Sequence, residues 1–141
     1  MKKILTLLFS LFALVSCGTP VDIINPDAKF LYFYGSTCPH CQELNTYMQE
    51  NDLYSKISLE KREVYFNQEN NKMFLEKAKE LGIPEREIAV PFVLNRETNT
   101  YTVGAPAAIE QFEADIAAKA QTTSATGTTL SGTTLSGAIE Q

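Results

Sequence analysis

Phe30-Leu31-Tyr32-Phe33-Tyr34-Gly35-Ser36-Thr37-Cys38-Pro39-His40-Cys41 is the stretch on which the fold of this chain turns. The five apolar or aromatic residues from Phe30 to Tyr34 read as a strand buried on both faces. Gly35 and Ser36 then turn the chain, and Cys38-Pro39-His40-Cys41 opens a helix. Pro39 suits the first helical position, because its missing N–H would be unpaired there and its φ is already helical. Cys38 therefore falls at the N-cap, where free backbone N–H groups and the positive end of the helix dipole favour an anion. The thiolate, not the thiol, is the nucleophile. Strand, turn, cysteine and helix together read as a redox centre.

Downstream, the helix from Pro39 to about Glu50 puts Cys41, Leu44, Tyr47 and Met48 on one face, so Cys41 points to the core while Cys38 stays at the tip. Arg62 to Phe66 reads as a second strand, with Val64 and Phe66 on one side and Tyr65 on the other. Asn67 to Leu81 reads as a helix with Phe74, Ala78 and Leu81 facing inward, stopped by Gly82. The apolar run Ile88 to Leu94 is broken by Pro91. The polar residues Asn95 to Asn99 then turn into a strand over Thr100 to Val103. Gly104 ends that strand, and Pro106 starts a last helix to about Lys119, with Ile109, Phe112 and Ile116 facing in. The order β-α-β-α-β-β-α predicts an α/β domain, a four-stranded mixed sheet with helices on both faces.

The flanks differ in kind. Lys2 and Lys3 followed by the apolar run Ile4 to Val15 read as an export signal, too short to span a membrane. The sequence Leu14-Val15-Ser16-Cys17-Gly18 resembles the lipobox of bacterial lipoproteins. That resemblance implies a signal over residues 1–16, lipidation of Cys17, and a protein anchored by lipid in the cell envelope. An ordinary secretory signal and an uncleaved anchor are the alternatives. Residues 17–26 read as a tether in which Val21 to Ile24 could add a short edge strand. The domain proper is expected over 27–120. Residues 121–141 repeat Gly-Thr-Thr-Leu-Ser from Gly127 and from Gly132, with few apolar groups to offset the entropy of ordering, and read as a disordered tail.

At 141 residues and 44% hydrophobic content the chain supplies one small core plus extensions. Net charge is −5 and no basic cluster follows Lys3, which argues against nucleic acid as a partner. C-x-x-C near a βαβ pattern is a thioredoxin-like redox signature, though it is also half of a zinc site. Structural zinc wants four Cys or His ligands, and beyond Cys17 this chain offers only Cys38, Cys41 and its single histidine, His40. A merely structural disulfide is disfavoured as well, because so short a loop barely constrains the unfolded chain.

Pro91 inside an otherwise apolar strand is the second signal, since a proline there removes a ladder donor. Together with Cys38-Pro39-His40-Cys41 it makes residues 27–120 similar to the thioredoxin superfamily in its compact, glutaredoxin-like form. The Cys-Pro-His-Cys sequence and the Val before the proline resemble bacterial envelope disulfide oxidases. The resemblance implies a thioredoxin-like fold with Cys38 as nucleophile and Cys41 as resolving thiol, flanking Pro39. It implies a cis Val90–Pro91 bond beside the cysteines, and a Val90 backbone that pairs with an extended substrate. It implies no cofactor beyond a redox-active Cys38–Cys41 disulfide, and no metal. Two positions depart from the pattern: Thr37 stands where an aromatic residue is usual, and Tyr32 stands where many members bury an acid.

His40, in the first turn, is expected to stabilise the Cys38 thiolate and make the pair more oxidising. The function expected is a membrane-tethered, extracytoplasmic thiol-disulfide oxidoreductase, a monomer that oxidises thiols of exported proteins. A membrane redox partner would re-oxidise it. The alternatives are an envelope disulfide reductase and a non-catalytic adaptor that binds extended peptides.

Overall fold

The computed structural model describes residues 21–126, with side chains through residue 123. Cys17, the expected signal and most of the expected tail lie outside the described residues. The chain forms β1 (Phe30–Tyr34), α1 (Pro39–Glu50), a one-turn α2 (Leu53–Lys56), β2 (Leu59–Glu63), α3 (Gln68–Glu80), β3 (Phe92–Asn95), β4 (Thr100–Val103) and α4 (Ala105–Thr126). The result is an α/β domain on a four-stranded mixed sheet of order β2-β1-β3-β4. β1 runs parallel to β2 and antiparallel to β3, and β3 and β4 are antiparallel.

Every residue of β1 is buried, as its unbroken apolar run requires, because β1 has a strand on each side and helices above and below. Phe30, Tyr32 and Tyr34 face α1 and α4, where they meet Leu44, Met48, Ala108 and Phe112. Leu31 and Phe33 face the other way, onto Phe74 and Ala78 of α3. Burying five such side chains supplies about 2 kcal/mol each, the main driving force for this strand.

β2 is displaced from its expected place. It covers Leu59–Glu63 rather than Arg62 to Phe66, paired Phe30 with Leu59 through Tyr34 with Glu63. The apolar alternation at Val64 and Phe66 suggested the later window, yet Val64 only closes the ladder through its N–H to Tyr34 O, 2.8 Å. Phe66 lies in the loop beyond, exposed. α3 is capped by Asn67, whose Oδ1 accepts from the N–H groups of Glu69 and Asn70, and Gly82 at φ +70 follows it. α4 starts one residue before Pro106 and continues past Lys119 to Thr126, so residues 121–126 are helical rather than part of an extended tail. Ahead of β1, Ile23 makes a single antiparallel bridge to Lys61 on the outer edge of β2. Among the described residues no helix is long and apolar enough to cross a membrane.

Candidate active site

The turn from β1 into α1 places Cys38 at the helix N-cap, with extended dihedrals of φ −78 and ψ 119, and Pro39 in the first turn. The Cys41 N–H donates to Cys38 Sγ at 3.3 Å, so the first sulfur takes one of the amides that the helix start leaves unpaired. Cys38 Sγ in turn donates to the Val90 carbonyl at 3.7 Å, across the cis Val90–Pro91 bond. The loop before β3 and the start of α1 thus meet at one sulfur. Both cysteines are free thiols, so this is the dithiol form.

The two sulfurs differ in environment. Cys38 keeps 7% of its surface in contact with solvent and Cys41 keeps none. Burial, reinforced by the hydrogen bond to Cys38, pushes the Cys41 thiol up to about 12, against a smaller opposite effect from the Gly35 amide and the Tyr32 phenol. Tyr32 lies beneath it, with its hydroxyl donating to the Cys41 carbonyl at 3.5 Å and its own pKa pushed up chiefly by burial. No carboxylate occupies that position. Lys61 of β2 lies on this face, its ammonium 4.3 Å from the Tyr34 ring centroid and 6.0 Å from that of Tyr32. Burial holds its pKa below the ordinary value.

His40 stands apart from the sulfurs. Its side chain is 75% exposed and its Nδ1 lies 3.5 Å from Glu43 Oε2, one turn along α1. The structure therefore brings Cys38, Cys41, Val90 and Pro91 together with Pro39, and directs the His40 ring toward solvent.

Three groups at the site were not singled out from the sequence. Glu63, nearly fully buried, accepts at Oε1 from the Ser36 N–H, the Ser36 hydroxyl and the Tyr65 N–H, at 3.1, 3.2 and 3.0 Å. Its Oε2 accepts from the N–H groups of Phe66 and Asn67 at 2.8 and 3.2 Å. Burial opposes the charge on Glu63, but the amides of Phe66, Ser36 and Tyr65 outweigh it and hold the carboxyl below its ordinary range. This one side chain staples the loop carrying Cys38 to the loop after β2. Tyr65 rests its ring against Gly35. Lys61 is the third. No short-range pattern ties residues so far apart in sequence, and the displaced strand put Tyr65 inside β2 rather than beyond its end.

Among the described residues no group of three or more His, Cys, Asp or Glu side chains is arranged to hold a metal ion. No family model matches the chain, and no curated protein matches it.

Proposed function

We propose that this chain is a thioredoxin-like thiol-disulfide oxidoreductase. One observation carries the reading: two cysteines one helical turn apart in unequal environments. Cys38 is at the helix N-cap with an amide donor on its sulfur, and Cys41 is fully buried with a thiol that resists ionisation. Thiol-disulfide exchange needs that inequality, with one sulfur that attacks and leaves as an anion and one that waits as a thiol.

In the oxidising direction a substrate thiolate attacks Cys38 Sγ of the Cys38–Cys41 disulfide. The S–S bond breaks, and its electron pair goes to Cys41, which takes a proton. A second substrate thiolate then attacks the substrate sulfur of the mixed disulfide, and Cys38 leaves as thiolate. The substrate gains a disulfide, and two electrons stay with the protein until a redox partner removes them. Stabilising the Cys38 anion favours the dithiol form and hence an oxidising pair. The Val90 carbonyl beside Cys38 suits it to pair with an extended substrate segment. The lipobox-like Ser16-Cys17 and the signal before it favour a membrane-tethered protein of the envelope, where disulfides persist.

Refolding of a reduced, disulfide-containing substrate, with insulin reduction run in parallel, tests the reading. Cys38→Ala is expected to abolish both activities without changing far-ultraviolet circular dichroism. Faster insulin reduction than substrate oxidation turns the assignment to a reductase. Peptide binding that survives Cys38→Ala, with no exchange in the wild type, makes the protein an adaptor.

A further inference from the structure

Gly35 has no left-handed dihedral to explain it, since the positive-φ glycines among the described residues are Gly82 and Gly104. What explains it is space. A Cβ on Gly35 would meet Tyr65 Cε2 at 2.3 Å and Cδ2 and Cζ at 2.5 Å, closer than any real side chain approaches. The Tyr65 ring therefore lies flat on the backbone of the turn that carries Cys38, and the Cys38 N–H closes that turn by donating to Gly35 O at 3.1 Å. The Tyr65 backbone is held there too, because its N–H and the Ser36 N–H share the single oxygen Glu63 Oε1. Half of Tyr65 remains exposed at the edge of the site.

We propose that the Tyr65 hydroxyl is the hydrogen-bond donor to Cys38 Sγ when that sulfur leaves as a thiolate, and that Gly35 is present to let the ring reach it. The pKa of Tyr65 is raised, first by burial, then by the nearby Cys38 and Cys41 sulfurs and a hydrogen bond to Cys38. The phenol accordingly stays protonated as a donor at neutral pH. The proposal rests on the exchange chemistry given above and adds a role to its second step. When the second substrate thiolate attacks the substrate sulfur, the bond between that sulfur and Cys38 breaks and its electron pair stays on Cys38. The Tyr65 O–H stabilises that charge without giving up its proton. A better leaving thiolate speeds release of the oxidised substrate.

Tyr65→Phe keeps the ring on Gly35 and removes only the donor. In reduced full-length protein, iodoacetamide labelling of Cys38, read by peptide mass as a function of pH, is expected to move to higher pH by about one unit. In a Cys41→Ala background, where Cys38 is the sulfur that leaves, resolution of a preformed Cys38 mixed disulfide by the substrate's second thiol is expected to slow by about three- to ten-fold. Gly35→Ala keeps the phenol but pushes the ring away, so it should shift the labelling profile in the same direction, and the double variant should go no further than the larger single shift. A Tyr65→Phe profile that superimposes on the wild type overturns the proposal, because a ring that only packs would leave it unmoved. Labelling requires no substrate, so it reads the Tyr65–Cys38 pair even if the wild type shows no exchange activity, a result that would count against the oxidoreductase reading alone.

Discussion

Glu60 and Glu63 lie three residues apart on one strand, both almost wholly buried, and the protein neutralises them by opposite means. Glu60, 1% exposed, is matched by cations: Arg62 Nε donates to Oε1 and Arg96 donates to Oε2, each at 2.6 Å. Arg96 then spends its other terminal nitrogen on the carbonyls of Asn25, Pro26 and Ala28, at 3.4, 3.2 and 3.1 Å, pinning the chain that leads into β1. Glu63, 4% exposed, receives amides and one hydroxyl from the loops beside Cys38. The far end of β2 is an anchor built from formal charges. The cysteine end is stapled by backbone dipoles and one hydroxyl, which fix two loops without adding a cation to the staple. Its donors hold the site in place and leave the thiolate to the helix start and the Tyr65 hydroxyl.

Breaking the anchor should give the largest effect on stability. Arg96→Ala leaves Glu60 with one partner instead of two and takes the Arg96 donor from the Pro26 and Ala28 carbonyls, while Asn25 O keeps the Ala28 N–H, at a cost of about 3 kcal/mol. Urea unfolding should show it as a lower midpoint at unchanged slope. The rate of Cys38 labelling per folded molecule should not change. If it does, the two ends of β2 are coupled and the contrast between them fails.

Loosening the staple should cost less and act on the site. Glu63→Gln retains the shape but weakens charge-assisted bonds to the amides of Ser36, Tyr65, Phe66 and Asn67, for about 2 kcal/mol. The sign with pH follows from the lowered pKa of Glu63. Its contribution is complete above the unfolded value, near 4.5, and is lost as pH falls through the lower folded value. The stability gap between wild type and Glu63→Gln should therefore be constant from pH 5 to 7, a window set by that direction of shift, and close below it. A gap that widens on acidification would show that the carboxylate is not the species that is bound. Unlike Arg96→Ala, this variant should also alter Cys38 labelling, since Ser36 and Tyr65 lose a common partner.

These contrasts also show what could be read from the sequence. β1 and the start of α1 were legible because their signals are local: an unbroken apolar run, then Cys38 before Pro39. Gly82 marked the end of α3 for the same reason. β2 begins three residues earlier than the sequence suggests because the charged run from Glu60 to Glu63 looks solvated, while the apolar alternation at Val64 and Phe66 draws the strand toward the later residues. Glu60 and Glu63 are buried, and Lys61 and Arg62 half-buried, only because Arg96, the tyrosine rings and the loop amides meet them in the fold. The same blindness hid Tyr65, whose relation to Cys38 depends on the register of that strand. In α4 the Thr122 and Thr123 hydroxyls donate to the carbonyls of Ala118 and Lys119, each at 3.0 Å, so polar residues that read as tail extend the helix.

The smallest effect is expected at His40, and it tests the claim that dipoles rather than side-chain charge set the cysteine end. With its ring in solvent and Nδ1 toward Glu43, His40 acts on the Cys38 thiolate only through screened space. His40→Gly should make the pair less oxidising, by about 10–20 mV, because exposed charges contribute little. Glu43→Gln removes a negative charge from the same turn and should move the potential the other way by a similar amount. Equilibration with glutathione measures both. Equal and opposite shifts of that size leave His40 as a minor electrostatic neighbour of the site. An unchanged or higher potential in His40→Gly removes it from the redox chemistry altogether. A drop several times larger would mean that the ring swings onto the sulfur in the reacting protein, and that the cysteine end is governed by a side-chain charge after all.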